Sequence, residues 1–284
     1  MPATYQILTG DCIQVLRGLD PGLRFDLVLT DPPYPEIDRP YGRMTEAQWF
    51  LMMEELLPLC RDRLTPRGSM LIVIQPNAVV PGQMRRWAFK FVDWVIGWWN
   101  LVQDVYWFNH ATMPTVHSRR TVGLLRCATK WLVWIGPVDC YRAQHEILWR
   151  PSDRTLQIDL EDRCFQRRPS GHHVVQARTR EAVEERGGST PFNCFFAANT
   201  ASQGSAGDKG HGAGIPKPLV DRLVRYLCPP GGRVLDPFCG TSTVGQSTIE
   251  SGRDFLGIDR DPQWREQGLL DLGTSGEHQV LPGC

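Results

Sequence analysis

The chain has 284 residues, enough to bury a full hydrophobic core and near the upper end for one domain. With 42% hydrophobic residues and a formal net charge of +0, it has an ordinary globular composition and no overall charge that marks it for nucleic acid. No stretch approaches the ~18 apolar residues of a membrane span, and residues 1–5 lack the basic flank and apolar run of a signal peptide.

Residues 5–9 read as a short strand, followed by a turn at Gly10-Asp11 and a helix through Ile13, Leu16 and Leu19. Phe25 to Thr30 is a compact apolar run stopped by Asp31-Pro32-Pro33. That is a buried strand ended by prolines, which have no N–H for a ladder. Pro35 to Arg43 reads as a surface loop beside this turn. Residues 45–63 carry Trp49, Met52, Met53, Leu56, Leu57 and Cys60 at helical spacing. Pro66-Arg67-Gly68 breaks that helix, and Met70 to Ile74 starts the next strand. Trp94, Trp98 and Trp99 fall in or beside strand-like segments, and 103–108 and 131–135 read as two further strands.

From about 137 to 213 the periodicity fades, ending in a Gly- and Ser-rich stretch at 201–214. This reads as an inserted recognition region followed by a flexible loop. Regular structure then returns, with a helix from Pro216 to Leu227, a strand from Arg233 to Leu235, a helix from Thr243 to Ser251 and a strand from Asp254 to Ile258. Alternating strands and helices predict an α/β fold, a doubly wound, mostly parallel sheet covered on both faces. The predicted organisation is 1–136 as one half of the core, 137–213 as the inserted region and 214–284 as the other half.

Two turns carry the chemistry. In the first, Asp236 to Gly240 stands where a buried strand hands over to a helix, the crevice where ligands bind in such sheets. Gly240 permits a sharp turn and a close ligand approach. Asp259 closes the following strand about 20 residues on, the position from which a carboxylate holds ribose hydroxyls. The dinucleotide pattern G-x-G-x-x-G is absent, because Cys239-Gly240-Thr241-Ser242-Thr243 carries a single glycine.

The second turn is Asp31-Pro32-Pro33-Tyr34, which ends another strand. An exocyclic base amine is a poor nucleophile because its lone pair is delocalised into the ring. Accepting its two N–H groups, one on the Asp31 carboxylate and one on the Pro32 carbonyl, frees that lone pair. The prolines hold these acceptors rigid. Tyr34 offers a face on which an extruded base stacks. Attack through a ring carbon needs a cysteine nucleophile, and the Pro-Cys pair that commonly supplies it occurs nowhere in the chain.

With both turns in this order, the chain resembles the β class of DNA amino-methyltransferases, over nearly its whole length. The resemblance implies a Rossmann-like methyltransferase fold with permuted motifs, S-adenosyl-L-methionine as cofactor and a flipped-out base as substrate. It implies Asp31, Pro32, Pro33 and Tyr34 as the catalytic set. It implies Asp11 and Cys12 near the cofactor's adenine, Lys217 near its methionine end, Asp236 as the acid by the methionine moiety and Asp259 as the ribose acid. Pro237, Phe238, Gly240, Thr241, Ser242 and Thr243 complete the cofactor turn. The family usually has Gly-Ser-Gly-Thr where this chain has Gly240-Thr241-Ser242-Thr243, so Ser242 is expected to crowd the cofactor. Its ribose acid is more often Glu. Asp ahead of Pro-Pro-Tyr points to adenine N6, with cytosine N4 as the alternative and a DNA-binding homologue without catalysis as a remote one.

Acid-free basic blocks suit phosphate contact and guanine readout. Val105 to Val138 holds His110, His117, Arg119, Arg120, Arg126 and Lys130, and Cys164 to Arg180 holds Arg167, Arg168, Arg178, Arg180, His172 and His173. Arg119, Arg120, Arg167, Arg168, His172 and His173 are the expected DNA contacts. The partners implied are double-stranded DNA, a cognate restriction endonuclease and a second copy of the chain as homodimer, with no membrane. The nine cysteines are scattered without a C-x-x-C pair. They read as free thiols in a reducing cytoplasm, with no metal site; Cys164, His172, His173 and Cys194 are the set weighed and set aside.

Overall fold

The computed structural model describes residues 2–38, 42–112, 122–149, 185, 187–188, 190–198, 214–273 and 279–280. Contacts divide the chain into two units, Met1–Arg142 with Asn193–Cys284, and Ala143–Phe192. Of the second unit, the described residues include a short 3-10 turn at Gln144–Ile147 and an edge-to-face pair of Trp149 and Phe192.

Among the described residues, the first unit is built on a nine-stranded sheet. Its strands are β1 (Thr4–Thr9), β2 (Phe25–Thr30), β3 (Leu64–Ile74), β6 (Leu101–Phe108), β7 (Thr129–Ile135), β8 (Cys194–Phe196), β9 (Arg233–Asp236), β10 (Asp254–Asp259) and β11 (Gln279–Val280), with a separate small hairpin of β4 (Ala78–Val80) and β5 (Gln83–Met84). The order across the sheet is β11-β1-β10-β9-β2-β3-β7-β6-β8. From β11 to β3 every neighbouring pair is parallel, and β7 then runs antiparallel to both β3 and β6. The parallel strands read as continuous apolar runs because both their faces are covered: five of the six residues of β2 are buried.

Helices α1 (Cys12–Gly18), α2 (Glu46–Asp62), α3 (Trp87–Trp98), α4 (Lys217–Leu227), α5 (Thr243–Glu250) and α6 (Pro262–Gly273) connect the strands. Asp11 starts α1 by accepting from the N–H groups of Ile13 and Gln14. Thr45 and Gln48 start α2 with a reciprocal capping box. The buried face of α2 is Trp49, Met53, Leu56, Leu57 and Cys60, the periodic residues of the sequence apart from Met52.

Two local expectations are corrected. Trp94 and Trp98 lie on helix α3, and Trp99 is its C-terminal cap. The aromatic run looks strand-like by propensity, yet its buried residues Trp87, Ala88, Phe91 and Val95 follow helical spacing. Pro66-Arg67-Gly68 does not precede β3 but lies within it. The pairing shifts register there, from Phe25–Leu64 to Leu27–Ser69, so the breaker residues form an irregularity in a continuing strand.

Candidate functional site

The central pair of the sheet, β2 and β9, ends in the two turns singled out above. β2 and β9 pair in parallel through Leu27–Val234 and Val28–Leu235, so Asp31 and Asp236 leave the sheet at the same end. Beyond the ladder, the Thr30 hydroxyl donates to Asp236 Oδ1 at 2.9 Å, a buried bond between residues 206 positions apart in sequence. One cleft is lined by Asp31 together with Asp236, Phe238, Cys239, Gly240, Thr241, Thr243 and Val244, and by Gly214 and Ile215 ahead of α4.

Asp236 is only 3% exposed. Its Oδ1 also accepts the Phe238 N–H at 3.1 Å. Burial is the main reason its carboxyl is pushed up to about 7, against the two hydrogen bonds that favour the ionised form and with Asp259 and Asp31 adding like charge. A buried acid poised near neutrality is a ready partner for a cation entering the cleft.

Asp259 closes β10. Its Oδ2 accepts the Gly240 N–H at 2.9 Å and its Oδ1 accepts the Asp261 N–H at 2.9 Å. Each oxygen keeps a second lone pair for a ligand hydroxyl. Gly10 donates its N–H to the Asp259 carbonyl at 2.9 Å, which brings the Gly10-Asp11 turn beside this strand end. Asp11 itself caps α1, and Cys12 is buried, its thiol pushed up to about 12 chiefly by that burial.

The Asp31–Tyr34 turn is buttressed from below. The indole N–H of buried Trp49 donates to the Pro33 carbonyl at 2.7 Å. The Asn77 amide donates to the Pro35 carbonyl at 3.0 Å, and Asn77 in turn accepts from the Trp87 indole at 2.7 Å. Trp49 and Trp87 meet edge-on at 4.9 Å, and the Tyr34 ring lies 5.9 Å from that of Trp87. The carbonyls on both sides of Tyr34 are thus held by side chains from α2, α3 and the β3–β4 connection. Sequence reasoning foresaw the burial of Trp49 but gave no destination for its N–H.

Of the expected catalytic and cofactor residues, Asp31, Asp236, Phe238, Gly240, Thr241 and Thr243 line this cleft, and Asp11, Cys12, Pro32, Pro33, Tyr34, Lys217, Pro237, Ser242 and Asp259 do not. Pro237 is in the turn without lining the cavity. The Lys217 ammonium pairs with Asp221 Oδ1 at 2.9 Å and Glu250 Oε2 at 2.6 Å, joining α4 to α5. Ser242 is fully buried and does not line the cavity. It takes the left-handed backbone conformation, φ 57 and ψ 34, which disfavours any residue but glycine. Its side chain faces α6, where a Cβ added at Gly268 would fall 2.5 Å from Ser242 Oγ. The hydroxymethyl group therefore fills space that Gly268 leaves open. Ser242→Gly is expected to raise the unfolding free energy by about 0.5–1 kcal/mol by removing left-handed strain, read as a higher melting midpoint. Gly268→Ala is expected to lower it by roughly 1–3 kcal/mol through overpacking.

Arg119, Arg120, Arg167, Arg168, His172 and His173 lie outside the described residues. No helix among the described residues is long and apolar enough to cross a membrane.

The chain is similar to known DNA methyltransferases. It is 26% identical over 279 residues to the type II methyltransferase M.PvuII of Proteus hauseri, covering 90% of this chain and 80% of that protein. It is 23% identical over 253 residues to M.ScaI of Streptomyces caespitosus, covering 88% and 75%. Among solved structures, its fold is shared with the PvuII DNA methyltransferase, described as cytosine-N4-specific, at a TM-score of 0.67 and 19% identity over 95% of this chain and 87% of that one. It is shared as well with M1.HpyAVI in its SAM complex, at a TM-score of 0.60 and 15% identity over 95% and 99%. The N6/N4 family model described as DNA methylase matches residues 25–268, from the strand that presents Asp31 to the helix beyond Asp259. With both turns inside that span, the chain belongs to the N6/N4 DNA methylase family.

Proposed function

We propose that this protein transfers a methyl group from S-adenosyl-L-methionine to the exocyclic amine of a flipped-out base in double-stranded DNA, with adenine N6 as the target. The observation that carries this is the shared cleft: Asp31 and the 236–244 turn line one cavity, with Thr30 bonded to Asp236 between them.

The donor set fits the cofactor. Asp236 is a buried acid suited to the ligand's ammonium, and Asp259 keeps lone pairs suited to a ribose diol. Phe238 and Ile215 give the cleft apolar walls, and Gly240 and Thr241 let the backbone come close. When bound, the cofactor supplies an electrophilic methyl group on a sulfonium. The protein's own residues do the rest. Asp31 and the Pro32 carbonyl accept the two amine hydrogens, which localises the nitrogen lone pair. Tyr34 stacks on the extruded base, offsetting part of the few kcal/mol of unstacking. The amine needs no strong base before attack, because the proton is lost from a cationic nitrogen afterwards and water can take it.

In this reading residues 137–213 select the DNA sequence, with Arg119, Arg120, Arg167, Arg168, His172 and His173 as DNA contacts. A cognate restriction endonuclease fits the type II names of the relatives.

Cytosine N4 is the second reading, and it has a specific support: the PvuII enzyme carries that specificity in its description. Asp ahead of Pro-Pro-Tyr supports adenine instead. Nucleoside mass spectrometry of duplex DNA incubated with the purified protein and labelled cofactor decides between them. N6-methyladenine is expected. N4-methylcytosine selects the second reading, and no modified nucleoside across DNA of varied sequence rejects both.

A further inference from the structure

By sequence Lys130 belongs to the acid-free block from Val105 to Val138, where a lysine reads as a phosphate contact. The structure takes it elsewhere. Its ammonium donates to Asp31 Oδ2 at 3.3 Å, across 99 positions of sequence. It also lies 4.7 Å from the centroid of the Trp107 ring and 5.5 Å from that of Tyr34. The Lys130 and Asp31 side chains are 13% and 18% exposed. Trp107 is itself fixed, fully buried with its indole N–H donating to the Ala197 carbonyl at 2.9 Å. One carboxylate and two aromatic faces therefore enclose the cation.

This cation touches both parts of the turn that the proposed reaction uses. On Asp31 it occupies one carboxylate oxygen, which fixes the carboxylate plane and leaves the other oxygen for an incoming amine. On Tyr34 it holds the ring by its face, which fixes the angle of the stacking surface. Both contacts come from one rigid strand, β7, whose register against β3 and β6 sets where Lys130 stands.

We infer that Lys130 is a positioning residue for methyl transfer: its ammonium locks the Asp31 carboxylate and the Tyr34 ring at a fixed mutual geometry, and it is not a DNA-phosphate contact. The inference rests on the methyltransferase reading above.

Lys130→Met tests it, because methionine keeps an unbranched apolar stem and removes the charge. With duplex substrate, kcat is expected to fall about ten- to hundredfold, the scale of misplacing a reacting group by about 1 Å. The KM for DNA and the slope of log binding constant against log salt are expected to stay unchanged. A phosphate contact predicts the reverse: kcat kept, KM raised and the salt slope reduced by about one. Lys130→Arg is expected to restore part of kcat, which a loss of folding in the methionine variant would not explain. In single-turnover reactions of an Asp31→Ala protein, adding Lys130→Met is expected to cost less than it does in the wild type, since the Asp31 contact is already gone and only the Tyr34 contact remains. A methylating wild type whose methionine variant keeps full kcat, or loses only DNA affinity, overturns the inference and leaves the methyltransferase reading standing. A wild type that modifies no DNA removes that reading and the inference with it.

Discussion

Asp31→Ala is expected to lower kcat for methylation of duplex DNA by about a thousandfold or more, at the upper end of what removing one preorganised polar group costs an enzyme. Its carboxylate is the only charged acceptor in the Asp31–Tyr34 turn, and the turn is held by its carbonyls rather than by Asp31. Trp49 grips Pro33 and Asn77 grips Pro35, whatever residue 31 is. The strand beneath, Phe25–Thr30, is buried and paired on both sides, so the fold does not depend on this side chain. Cofactor affinity is therefore expected to persist in the alanine variant, measured by calorimetry. Far-ultraviolet circular dichroism is expected to match the wild type. Asp31→Asn removes the charge but keeps one acceptor oxygen, which serves either Lys130 or the substrate amine and not both. Its rate is expected to fall between the two. Full activity in the alanine variant would remove Asp31 from the mechanism.

The second large effect concerns Asp236. Its carboxyl is pushed up to about 7 by burial, from an ordinary value of 3.8. A cation bound beside it favours the ionised form, so cofactor affinity is expected to weaken as pH falls below about 7. At pH 6 binding should release a fraction of a proton, seen as a dependence of calorimetric heat on the buffer's ionisation enthalpy. Asp236→Asn has no charge to supply. Its affinity is expected to be about a hundredfold lower at pH 8, the scale of breaking a buried charge pair, and flat with pH. The stability of the ligand-free protein follows from the same shift with a definite sign. The unfolded chain ionises Asp236 near 3.8 and the folded one only near 7. Its favourable contribution is thus complete below about 3.8 and is lost as pH rises through 7, a few kcal/mol in order of magnitude. The asparagine variant should lack this decline, which chemical denaturation between pH 4 and 8 would measure. An unchanged pH profile in the variant would mean that another group is responsible.

Much of the site was legible in the sequence because its elements are local. An apolar run stopped by two prolines can only be a buried strand with a rigid exit, and β2 and its turn follow from that. A glycine after a short apolar strand, with an acid closing the next one, likewise gives β9, β10 and the turn that leaves β9. What stayed hidden depends on contacts between distant residues. Lys130 sits in a run of basic residues, and nothing in that run reveals a carboxylate 99 positions away. The Ser242 side chain was readable as an exception to a glycine rule, but its direction is set by α6, and only the packing of Gly268 shows that it points away from the cleft. Lys217 matched its motif by identity while its ammonium serves a helix–helix contact. Helix α3 was misread because bulky aromatic residues favour strands in general, whereas here a four-residue rhythm of buried side chains decides the matter.

The arrangement of the sheet has one more consequence. The first strand, Thr4–Thr9, lies between the last two, with Tyr5 opposite Phe255 on one side and Thr4 opposite Gln279 on the other. Two elements far apart in sequence, Thr4–Thr9 and Gln279–Val280, are therefore direct neighbours in the sheet. A gene fused at these ends and reopened between Phe196 and Gly214 would encode the cofactor turn first and the Asp31 turn last, yet lay down the same strand order. On the methyltransferase reading, such a rearranged chain is expected to keep the fold and the activity, measured by circular dichroism and methyl transfer to duplex DNA.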